Sequence, residues 1–105
     1  AIRAIPSFDR ATEIARRDRF IADGERVVYV AEQEIQDLGR KSGSAVGASK
    51  RSIDAQIVRL KIDQKDLQDK LAIMKVGSIT NWRAFEGDVN RATARLRNSI
   101  EKTSG

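Results

Sequence analysis

Between Ile53 and Ile100 the apolar residues return every three or four positions, and this spacing limits more than any other feature what the chain can become. Ile53, Ile57, Leu60, Leu67, Leu71 and Met74 form one series, and Trp82, Phe85, Val89, Leu96 and Ile100 continue it. Successive strand residues point to opposite faces, so such steps would scatter these side chains over both; on an α-helix they fall on one side. A helix with one apolar stripe is unstable alone in water and must press that stripe against another surface.

Upstream, Pro6 and Ser7 suit the opening of a first helix, with Asp9 near the positive end of its dipole. Phe8, Ala11, Ile14 and Ile21 share a face that Val27, Val28, Ala31, Ile35 and Leu38 extend. Gly24 costs such a helix only about 1 kcal/mol and does not have to end it. The run Val27-Val28-Tyr29-Val30 has strand propensity, yet no partner strand exists and the helical period runs through it. Ser42 to Ser49 holds two glycines and three serines, a density that favours a turn between helices over the alternative, a weak continuous helix through the spacing of Ala45 and Ser49. At Val76-Gly77-Ser78 the stripe slips: either Gly77 ends a helix and Ser78 caps the next, or one long helix passes through.

The expected elements are helices over about 7–41, 50–76 and 79–102 in a single all-α domain spanning 1–105. If both glycine-containing points turn, the chain is a three-helix up-and-down bundle; if only the first turns, it is a coiled-coil-like antiparallel hairpin. A hairpin would leave its stripes half uncovered, so two of them would pair. Within the second helix, Asp66 is placed to pair with Lys70 at i, i+4, and Asp54 lies near Arg59. Gln64 interrupts the stripe; a polar residue there either marks register or partner choice in helical assemblies or is simply tolerated near a surface.

Composition narrows the chemistry. With neither cysteine nor histidine, the chain has no thiolate or imidazole for a metal site or for nucleophilic or general-base catalysis, and its compartment stays open. Asp63 and Asp66 are expected on the solvated side rather than as a catalytic pair. Gly43 to Lys50 imitates part of a phosphate loop without its spacing or its preceding strand. No catalytic residue, cofactor or metal is expected, and Ala1 to Pro6 does not have the pattern of a secretory leader, which leaves a cleaved one open and favours the cytoplasm only slightly. Charged residues make up 33% of the chain and aromatics 5%, which suits a thin helical assembly better than a deep core.

The leading expectation is a non-enzymatic interaction or scaffold protein, a homo-oligomer or part of a larger assembly. Its candidate interface residues are Leu60, Leu67, Leu71, Met74, Trp82, Phe85, Val89 and Leu96, with Leu71, Trp82 and Phe85 as anchors. Glu25, Glu32, Glu34 and Asp37 face only Arg26 in their stretch, whereas Arg40, Lys41, Lys50 and Arg51 surround the first turn with no acid between them. The two segments could orient a partner by charge. Two alternatives follow from the net charge of +5: nucleic-acid contact through Arg40, Lys41, Lys50 and Arg51, or membrane-surface binding through the last helix, whose Trp82 and Phe85 are bordered by Arg83, Arg91, Arg95 and Arg97.

The run from Lys70 to Ser78, followed by Trp82, Phe85, Val89, Ala92 and Leu96, resembles small bacterial coiled-coil-domain proteins of uncharacterised function. The resemblance implies a helical hairpin or bundle and a link to stress response, and it supplies no catalytic residues. This chain departs from that pattern in its dominance of Arg and its Val-Val-Tyr-Val run.

Overall fold

The computed structural model describes residues 9–104, which form three α-helices: α1 (Arg10–Ser44), α2 (Gly47–Val76) and α3 (Glu86–Ser104). Both glycine-containing points turn, so the fold is the up-and-down bundle, drawn out to 76 × 21 × 16 Å.

Local chemistry sets the boundaries, which differ from the expected ones. Asp9 is itself the N-cap of α1; its carboxylate accepts from the Thr12 amide at 3.4 Å and the Thr12 hydroxyl at 2.7 Å. The helix therefore starts at Arg10, and the expected roles of Pro6, Ser7 and Phe8 lie outside the described residues. The first turn shrinks to Ala45 and Val46 because the Ser- and Gly-rich stretch stays helical on both sides of it. Gly47 makes so tight a reversal feasible: it opens α2 at φ +61°, a conformation that side chains disfavour. The second link is longer. The Gly77 amide closes on the Met74 carbonyl, the Ser78 hydroxyl accepts from the Thr80 amide at 3.1 Å, and a 3-10 turn over Trp82–Phe85 leads into α3. The third α-helix thus starts at Glu86 rather than near Ile79.

The core collects one stripe from each helix. Ile21, Val27, Ala31, Ile35 and Leu38 come from α1; Leu60, Leu67, Leu71 and Met74 from α2; and Trp82, Val89, Ala92 and Leu96 from the C-terminal segment. Gly24 has a packing role: a Cβ there would lie 2.9 Å from Leu71 Cδ2, so the missing side chain lets α1 and α2 approach. Gln64 sets register inside the chain. Its buried amide nitrogen donates to the Val28 carbonyl at 3.2 Å and to Glu32 Oε1 at 3.0 Å, contacts available at one alignment of α2 on α1. Asp63 and Asp66 are not spectators on a solvated face. Asp63 accepts from Ser99 Oγ at 2.6 Å, and Asp66 accepts from Arg95 at 2.8 Å as well as from Lys70, tying α3 to α2. Asp54 pairs with Lys50 and Ser42 rather than with Arg59.

Candidate interaction surfaces

The eight residues expected at an intermolecular interface lie in the chain's own interior or at its margin. Leu60, Leu67, Met74 and Leu96 are fully buried, Leu71, Trp82 and Val89 nearly so, and Phe85 packs half-buried against the core. With α3 lying along the α1/α2 pair, these side chains have partners already, and a second protein could reach them only if the bundle opened. That corrects their role from intermolecular anchors to core.

At one end of the bundle, Glu13 gathers three groups that the apolar pattern does not reveal. Its carboxylate accepts from Trp82 Nε1 at 3.2 Å, from Arg83 Nε at 3.0 Å and from Arg83 Nη2 at 2.7 Å. Arg83 lies over the Trp82 ring, 5.0 Å from its centroid, and Phe20 packs at 5.9 Å from the same ring. The Arg83 hydrogen bonds hold the Glu13 carboxyl below the ordinary carboxylate range and raise the guanidinium in turn. The indole is thus buried with its N–H satisfied, and the cluster locks the start of α1 to the α2–α3 link. Only the coincidence of an acidic first turn with a Trp-Arg pair could have hinted at it in the sequence.

At the opposite end, α1 and α2 project beyond α3 as a two-helix tip carrying Arg40, Lys41, Lys50 and Arg51. The structure brings these four cations to the same end but divides them. Arg40 pairs with Asp37, and Lys50 pairs with Asp54 at 3.5 Å while donating to Ser42 Oγ at 2.9 Å. Among the described residues, Lys41 and Arg51 have no acid within 4.0 Å. The Ser42 hydroxyl and then Lys50 hold the Asp54 carboxyl below its ordinary range, which consumes part of the positive field of the tip.

No family model, curated protein or solved structure matches this chain. Its surface must therefore speak through its own chemistry. Among the described residues no helix is long and apolar enough to cross a membrane.

The third surface is one that the main apolar period does not mark. On the outer side of α2, Val58, Ile62, Ile73 and Val76 are 56%, 63%, 50% and 86% exposed, with the small exposed residues Ala55 and Ala72 in the same row; Ala55, Val58 and Ile62 also border a groove whose other wall is Arg95, Asn98 and Ser99 of α3. Ala55, Val58, Ile62, Lys65, Asp69, Ala72 and Val76 alternate steps of three and four, a second apolar row roughly opposite the buried one. Its middle is polar, where Lys65 bonds Asp69 at 3.1 and 3.2 Å. The signal was present in the sequence as a second period offset from the first, masked by the larger Leu and Met residues of the inner row.

Proposed function

We propose that the chain is a non-catalytic helical interaction module that holds another helix against the outer face of α2. One observation carries this reading: Val58, Ile62 and Val76 stand exposed in a helical row on the outside of a bundle whose own core is already filled. Single exposed apolar residues are ordinary on protein surfaces, but a row at coiled-coil spacing has the shape of a seam awaiting a second helix. The other two readings find less support. A bilayer would need the apolar side of α3, where Val89, Ala92 and Leu96 are turned inward. A nucleic acid would need the tip cations, of which Arg40 and Lys50 are engaged by Asp37 and Asp54.

The test is a photo-crosslinking residue at position 62, activated in the native source, with the same residue at exposed Tyr29 on α1 as control. Protein adducts forming at position 62 in clear excess over position 29 are the expected result. Equal or absent adducts at position 62 would remove the reading.

A further inference from the structure

Resting on that reading, we infer that the helix received by the outer face of α2 is α2 of a second copy, running antiparallel about a two-fold axis at Leu67. From Val58 to Val76 the row is symmetric about this point. Lys65 and Asp69 each stand two residues from Leu67, Ile62 and Ala72 five, and Val58 and Val76 nine. Turning a second α2 end for end therefore sets Val58 against Val76, Ile62 against Ala72, and Lys65 against Asp69 of the other copy. A two-fold interface demands this self-complementarity, in which each residue meets a partner that it meets again on the other side of the axis. The steps also place every pair as an a-type residue facing a d-type residue, the packing of antiparallel coiled coils.

Charge selects the direction. Turned antiparallel, the two lysines and two aspartates at the centre alternate in sign; run parallel, Lys65 would face Lys65 and Asp69 would face Asp69, which costs stability. At the flanks, Lys61 would approach Lys75 of the other copy, but Lys75 is already bonded to Glu25 of its own chain. Asp66, which would lie near its own counterpart across the axis, is held by Lys70 and Arg95. The small Ala72 opposite Ile62 leaves room for close approach of the helices, and Ile73 widens the apolar strip on one edge.

The seam runs for about three heptads, roughly 30 Å at 1.5 Å per residue, with a polar middle, so a dimer of micromolar strength is expected. Sedimentation of the whole chain from about 1 µM to about 500 µM should show a monomer passing into a dimer. Ile62→Asp and, separately, Asp69→Lys should each weaken it at least about tenfold, while combining Lys65→Asp with Asp69→Lys should recover most of the loss. Because the chain has no cysteine, Val58→Cys and Val76→Cys can be made cleanly and mixed. Oxidation should give the 58-to-76 crosslink in preference to either homodimer, and preferential homodimers would overturn the antiparallel pairing. A folded monomer at every concentration would overturn self-pairing altogether. Crosslinking of position 62 to a different protein would then still sustain the broader reading, so the two failures are separable.

Discussion

Helix α2 carries two apolar rows on opposite sides, and they meet different fates. The inner row holds Leu60, Leu67, Leu71 and Met74, all buried, with Gln64 bonded to α1 in their midst. The outer row holds Val58, Ile62, Ala72 and Val76, all exposed, with Lys65 and Asp69 in its middle. Both have the same helical steps, so period alone does not decide which side goes in. The amount of unbroken apolar surface and hydrogen bonding do. The inner row offers Leu60, Leu67, Leu71 and Met74, and Gln64 finds a carbonyl and a carboxylate on α1, whereas the outer row is divided by an ion pair and includes the small Ala72, so it loses less by staying in water. A row too weak to build the bundle remains available for a second helix.

The sharpest way to break the comparison is to shorten one residue on each side. Leu67→Ala should destabilise the bundle by about 2–5 kcal/mol, because removing buried methyl groups loses both transfer energy and packing. Ile62→Ala should stay within about 0.5 kcal/mol in sub-micromolar solution. Urea denaturation monitored by helicity measures both, and comparable losses would mean that the outer row is not the free one.

Next in size is the polar member of the inner row. Gln64→Ala should cost about 1–2 kcal/mol by removing two hydrogen bonds across the α1–α2 contact. It should also return Glu32 toward its ordinary carboxyl range, since the Gln64 hydrogen bond is the first cause of its depression. Titration of Glu32 by NMR checks this. Two glycines of α1 sharpen the inside-outside contrast further. A Cβ placed on Gly39 would meet no atom within 4 Å beyond its own helix backbone and chain neighbours, so Gly39→Ala should stabilise by about 0.5–1 kcal/mol. Gly24→Ala gains the same helical preference but must displace Leu71, so its melting temperature should fall below that of Gly39→Ala.

The smallest effect is electrostatic. Asp66 is depressed first by Lys70 and then by Arg95, and Glu13, Glu32 and Asp54 are depressed by their own hydrogen bonds. A carboxyl whose folded pKa lies below its unfolded value stabilises the fold above the unfolded value and stops doing so as pH falls through the folded one. Stability should thus be level above about pH 5 and decline below about pH 4. Asp66→Asn should remove under about 1 kcal/mol at neutral pH and flatten part of the acid decline, as chemical denaturation across pH would show.

The sequence by itself determined that the chain is helical, that it turns near Gly43–Gly47, and which side chains are large enough to serve as core. These are local properties: a period of three to four residues, and a density of Gly and Ser that disfavours helix. The tertiary structure alone decided that Gly77 turns too, that Leu71 packs into the gap left by Gly24, that Glu13 meets Trp82 and Arg83, and that Asp63 and Asp66 clasp α3. Each of these joins residues 29 or more positions apart, save the turn, whose direction depends on whether α3 finds a groove to fill. Side-chain periodicity reports what one helix offers its surroundings; which offer is taken up is settled by the competition among three helices for the same limited contact area.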